Sequence, residues 1–278
     1  EYLTRKKKEG RFPVYQTTER PDRAAQAILE GRVVLLTDNS PEALIFPATL
    51  NSLFQTADDY YRNERIVTFL RLIRYVAAFL ALALPGLYVA AATFHPQLLP
   101  GNLIRSMAEA RSGVPFPTAA EVLLMELSFE LLREAGLRMP GPAGNTIGIV
   151  GGLIVGQAAV SANLVSPITV TVAALTALGS FSIPNEELSE VFRLWKYGIL
   201  LLGSCFGILG VMLGCFLLLM LMAEQESYGI PWLYPYVGGN LNERADEKDS
   251  MFLAAARKRK RRPIFAKWGN RIRFRRKS

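Results

Sequence analysis

The strongest constraint on this chain is where its charges are missing. No Asp, Glu, Lys or Arg occurs from Tyr75 to Thr93 and a little beyond, from Met139 to Asn185, or from Tyr197 to Ala223. A helix crosses the hydrocarbon core with about 20 apolar residues, so the outer two runs each fit one span and the middle one fits two. A buried helix of a soluble domain can imitate one such run, but three in one chain point to a bilayer. The expected fold is a mainly α-helical integral membrane protein of about four transmembrane helices, at about 72–94, 145–164, 166–184 and 197–223.

Outside these runs the charge is uneven. Residues 1–74 carry 12 basic and 10 acidic groups, whereas 224–278 carry 14 and 6, which alone equals the net charge of +8. The last stretch, "RKRKRRPIFAKWGNRIRFRRKS", interleaves aromatics with Lys and Arg. Such a tail could bind nucleic acid. Beside membrane spans, a cytoplasmic tail held to anionic lipid is the reading preferred, without nucleic acid. Arg62, Arg65, Arg71 and Arg74, with Tyr60, Tyr61 and Tyr75, place the amino side of the first span inside. Four crossings would return the carboxyl end to that side. Pro85 and Gly86 predict a kink in the first span.

Residues 1–56 read as a partial cytosolic α/β segment: a helix opened by Pro21 and closed by Gly31, then short strands around "RVVLLT" and "EALIF". This is too little for a core of its own, so it is expected to belong to a larger cytosolic domain. The predicted order is therefore this segment, a membrane domain over 57–223 and a basic tail over 224–278.

Chemistry is thinly represented. There is one His, His95, and both cysteines, Cys205 and Cys215, lie in the last apolar run. No metal-ligand spacing or disulfide framework can be built from them, and no P-loop, G-x-S-x-G or H-E-x-x-H occurs. An enzyme, a metal site and a cofactor are not expected.

Polar groups in apolar surroundings are the remaining signal. Between the first two runs, "PTAAEVLLMELSFELLREAG" places Glu126, Glu130, Arg133 and Glu134 in a sector of about 100° on a helix otherwise apolar. An embedded amphipathic helix over about 119–135, re-entrant or interfacial, is expected. Its acids mark an ion pathway, unless Glu130 and Arg133 simply pair with each other. Further on, Gly144, Gly148, Gly152 and Gly156 recur every fourth residue and predict a close packing seam. Gln157 and Asn163 are costly against lipid and should face partners or a cavity. After Pro167, the stripe of Thr169, Thr176 and Ser180 suits a pore wall or a tight helix contact equally well. The last run carries Gly203, Gly207, Gly210 and Gly214 and should also pack closely.

These residues resemble a family. "TERPDRAAQAILEGRVVLLTDNSPEALIFPAT", "FLRLIRY", "VPFPTAAEVLLMELSFELLREAGLRMPGPAGNTIGIVGGLIVGQAAV", "LVSPITVTVAALTALGSFSIPN" and "YGIPWLYPY" look like the A subunit of bacterial spore germinant receptors, the GerA family, which includes the stage V sporulation protein AF type. The resemblance implies a multi-pass protein of the spore inner membrane, with both termini on the cytoplasmic or spore-core side. It implies work beside a B-type transporter-like subunit and a C-type lipoprotein, and a homo-oligomer forming a ligand-gated cation channel that starts germination. A secondary transporter and a non-conducting scaffold are the alternatives.

Overall fold

A computed structural model describes residues 12–138, 142–237, 249–254 and 265–266, with backbone alone over 142–150. The described chain is mostly helical and divides into two compact units. The first gathers the described residues up to Val76, those of 183–191 and those from Leu218 onward. The second holds Ala77–Ser182 and Phe192–Leu217.

In the first unit, β1 (Gln16–Thr18), β2 (Val33–Leu35) and β3 (Ala43–Phe46) form an antiparallel sheet with β3 in the centre. Helix α1 (Pro21–Glu30) lies between the first two strands. Pro21 opens it, where no backbone donor is needed, and Gly31 ends it at φ 90°, a conformation that penalises any residue with a Cβ. A short α2 (Leu50–Phe54) follows, opened by reciprocal hydrogen bonds between Thr49 and Ser52.

The core of this unit comes from both ends of the chain. Trp232 is fully buried, its ring 5.0 Å from that of Phe12 and its indole N–H donating to the Pro13 carbonyl at 2.8 Å. The Leu50 amide donates to the Trp232 carbonyl, and the Ser227 hydroxyl donates to the Val14 carbonyl. Near it, β4 (Glu226–Ser227) and β5 (Ile230–Pro231) make a small ladder. The described residues of 1–56 and those around Trp232, separate in the linear partition, thus share one core, because neither has enough apolar surface alone. Beyond Leu253 and Ala254, only Phe265 and Ala266 of the basic tail are described. Phe265 lies under the Arg32 guanidinium, and a Cβ on Gly31 would meet the Ala266 backbone at 2.5 Å. The rest of the tail lies outside the described residues.

Six further α-helices follow among the described residues: α3 (Glu64–Thr93), α4 (Gly101–Arg111), α5 (Thr118–Arg138), α6 (Pro142–Ser161), α7 (Pro167–Phe181) and the 39-residue α8 (Glu186–Glu224). Two of these, α3 and α8, carry windows long and apolar enough to cross a membrane; the shorter Gly151–Ser161 and Pro167–Phe181 are also apolar. Helix α3 continues through Pro85.

Contacts within the second unit fix the directions of its helices. Gly179 of α7 packs on Ala77 and Ala81, while Tyr88 reaches Thr169, so α3 and α7 are antiparallel. Gly151 and Gly152 of α6 face Leu132 and Phe129 of α5, and Gly156 faces Val170 of α7. Helices α5, α6 and α7 therefore run alternately down, up and down beside α3.

Helix α8 departs from the expected single span over 197–223. At Gly207 the backbone leaves helical geometry (φ 62°, ψ −143°). Beyond it the chain folds back: Gly214 lies against Ile199, Gly210 against the Leu202 carbonyl and Gly203 against Val211. In a continuous helix, residues 199 and 214 would be about 22 Å apart. The segment is thus a hairpin of two limbs, one ending and the other beginning at Gly207. Helix α5 covers the expected amphipathic segment of about 119–135 and has 21 residues, about 31 Å in length.

Candidate functional site

The second unit contains a groove of about 830 Å³ between α5, α6 and α7, with the first limb of α8 contributing Arg193 and Lys196. Its walls are mostly apolar: Phe129 and Leu132, Leu153 and Val160, Val170 and Leu178. Room for it comes from Gly152 and Gly156 on α6 and Ala174 and Ala177 on α7, whose small side chains keep the helices' larger groups from filling the space.

A charged stripe runs along one wall. Glu126 and Lys196 are both buried, the Lys196 ammonium donating to Glu126 Oε2 at 2.6 Å. One turn on, Arg193 Nη1 donates to Glu130. At the next turn, Arg133 Nη1 donates to the Ser180 hydroxyl at 3.1 Å, and its guanidinium lies 4.6 Å from the centre of the Phe181 ring. Pairing follows from helix periodicity: Glu126, Glu130 and Arg133 are spaced four and three residues apart, and Arg193 and Lys196 three, so two antiparallel helices present matching rows. Glu130 pairs across to α8, not with Arg133 of its own helix. Glu126 Oε1 is buried without a hydrogen-bond partner among the described residues. Since an isolated buried charge is very costly in apolar surroundings, these pairs are what permits the stripe to be buried.

The other sequence-predicted residues are distributed differently. Gln157 and Ser180 line the groove. Asn163 does not; it sits at φ 53° in the turn before α7, its carboxamide beside Gly113. Thr169 and Thr176 are buried inside the helix packing: Thr169 donates to Glu121, and Thr176 donates back to the Val172 carbonyl. The glycines at 152, 156, 203, 207, 210 and 214 all face neighbours in this same chain. The surroundings of Gly144 and Gly148 lie outside the described residues. Among the described residues no three His, Cys, Asp or Glu side chains gather as a metal site would need.

Two positions escaped the sequence reading. Glu121, fully buried, accepts from Arg111 Nε at 3.1 Å, from the Ser166 amide at 2.9 Å and from the Thr169 hydroxyl at 3.0 Å. Its carboxylate therefore closes the amino end of α7, where free N–H groups and the helix dipole favour a negative charge. In sequence, "TAAE" looks like a capping box for α5 itself, which hides this role. Gly151 was the other: a Cβ there would come within 2.8 Å of Leu132, tighter than at Gly152. It lies off the four-residue repeat.

The model of the Bacillus/Clostridium GerA spore germination protein family matches residues 1–265. The chain belongs to the GerA family. Similar proteins include the uncharacterized membrane protein YfkQ of Bacillus subtilis (strain 168), 43% identical over 244 residues, which are 88% of this chain and 47% of that protein. Spore germination protein GerLA of Bacillus cereus is 42% identical over 81% of this chain and 46% of its own. Spore germination protein A1 of Bacillus subtilis is 41% identical over 84% and 49%. This GerA-family chain spans about half the length of the curated relatives it matches. No solved structure matches it.

Proposed function

We propose that this chain is the membrane part of a spore germinant receptor A subunit, which assembles with copies of itself into a ligand-gated cation channel. Six crossings are inferred: α3, α5, α6, α7 and the two limbs of α8. An even number leaves both termini on the cytoplasmic, or spore-core, side of the spore inner membrane. A B-type transporter-like subunit and a C-type lipoprotein are the proposed partners, and anionic lipid holds the basic tail.

The observation that carries this reading is the charged stripe of α5 along a groove in an otherwise apolar helical unit. Ionisable groups at that depth are costly and mark pathways by default. A gating ligand then acts by favouring a conformation in which the stripe is wetted. The test is potassium efflux from proteoliposomes holding the full-length protein with its receptor partners. Efflux should follow addition of nutrient, and Glu126→Gln or Glu130→Gln should reduce it while the amount of assembled protein stays constant. Normal efflux in both variants would remove these acids from the path.

One observation favours a second reading, a non-conducting scaffold: both acids lining the groove are already neutralised by bases. Silent wild-type proteoliposomes, with the complex intact by native gel, would support it. Saturable uptake of a single solute would instead identify a secondary transporter.

A further inference from the structure

We infer that Arg193 and Lys196 are an electrostatic latch that holds the groove shut, and that release of the first limb of α8 is the step that exposes its acids. This inference rests on the channel reading above and adds its regulation.

Three observations combine. First, the two carboxylates on the groove wall, Glu126 and Glu130, are neutralised from a different element, each by one residue of α8. The described charges lining the groove are two acids and three bases, a balance that repels a cation in this conformation. Withdrawal of Arg193 and Lys196 would leave two acids and Arg133, so the sign of the lining would reverse.

Second, the limb carrying both bases has defined ends. It opens at Asn185, whose side chain accepts from the Leu188 amide at 2.8 Å, and closes at Gly207. At Gly207 the helical hydrogen-bond pattern is broken, so the limb can tilt there without tearing a continuous helix. A Cβ at this point would press on Phe94 and His95 at 3.2 and 3.3 Å, so the pivot rests against the end of α3.

Third, the Glu126–Lys196 pair is buried, and Glu126 keeps one carboxylate oxygen without a partner. Removing one member leaves a buried charge that must draw in water, whereas removing both does not. The latch therefore predicts opposite outcomes for single and double replacements, which a purely structural pair would not show in conductance.

The experiment compares wild type, Lys196→Met, Arg193→Gln, the double variant Glu126→Gln with Lys196→Met, and the exchange Glu126→Lys with Lys196→Glu. Each is used as full-length protein in its receptor complex in proteoliposomes. Potassium efflux is read without and with nutrient. Lys196→Met should leak without nutrient, by at least about a hundredfold over wild type, the factor that corresponds to breaking a buried pair, and Arg193→Gln should leak less, because its partner Glu130 is about a third exposed. Without nutrient the double variant and the exchange should stay as tight as wild type; with nutrient both should conduct less than wild type, because each lacks the acid at 126.

A second readout does not depend on current. Ala174→Cys, with Cys205 and Cys215 replaced by Ser, places a thiol on the groove wall. An aqueous maleimide should label it faster in the Lys196→Met background. Basal efflux and labelling equal to wild type in both single variants, with nutrient-driven efflux intact, would overturn the latch and leave the channel reading standing. Wild-type silence under nutrient would overturn the channel reading itself. Faster labelling in Lys196→Met would then still show that the pair closes the groove.

Discussion

At the scale of single residues, the informative side chains are polar ones that have lost their water. Glu121 satisfies three donors on α4, on the turn before α7 and on α7 itself. Glu121→Ala should lower the stability of the detergent-solubilised protein by about 1–3 kcal/mol, since it leaves a buried amide and a partly buried guanidinium without their acceptor. A chemical-denaturation midpoint within error of wild type would contradict this. Asp59, in the first unit, is a second case. Burial pulls its carboxyl upward, but the two-pronged hydrogen bond from Arg74 and the bonds from Thr56 outweigh burial and hold it below its ordinary 3.8. Because the folded value is depressed, the stability this group contributes is complete above the ordinary value and is lost as pH falls through the folded one. Melting temperatures of wild type and Asp59→Asn should therefore differ near neutral pH and converge as pH drops below about 3.8. A difference that persists unchanged in acid would refute the assignment.

At the scale of elements, α8 is where sequence and structure part. Its composition reads as one long apolar rod, and hydropathy has no means of seeing a reversal that uses one residue and no polar loop. Gly207 alone supplies the turn, because φ near +60° with that ψ is open to glycine and closed to residues with a Cβ. The glycines on either side then let the two limbs touch. Gly210→Leu should abolish the hairpin, since its first side-chain carbon would lie 2.0 Å from the Leu202 carbonyl oxygen. Folded yield after size exclusion is the measurement. The native Cys205, exposed and two residues before the turn, reports the topology. With Cys215 replaced by Ser, a membrane-impermeant maleimide should label it from the face opposite the termini, whereas a single rod would bury it in mid-bilayer. Helix α5 teaches a related lesson. Its polar stripe was legible from periodicity, but the partners that make it tolerable come from a helix some 65 residues later, which no local pattern reveals.

At the scale of the whole molecule, the first unit is assembled from segments at the two ends of the described chain. Trp232, Phe12, Val14 and Phe54 are all buried in that unit, with the Phe12 ring against that of Trp232. Trp232→Ala should cost about 3–5 kcal/mol, by leaving a cavity and orphaning the Pro13 carbonyl. Loss of one calorimetric transition, with the helical signal retained, is the expected record. Disappearance of both transitions would mean that the two units fold as one.

What the sequence determined by itself is what local composition controls: helices from Glu64 onward, two of them long and apolar enough to cross a membrane, small strands before them, the glycine repeats and a charged stripe on α5. The family was legible too, because its motifs are long and ordered. Tertiary structure alone decided who meets whom. It paired Glu126 with Lys196 and Glu130 with Arg193, turned α8 back at Gly207, gave Glu121 to α7 and joined the first strands to Trp232. The physical reason is that burial and periodicity act along a few turns of chain, whereas the energy of a buried charge depends on a partner whose distance in sequence carries no signal.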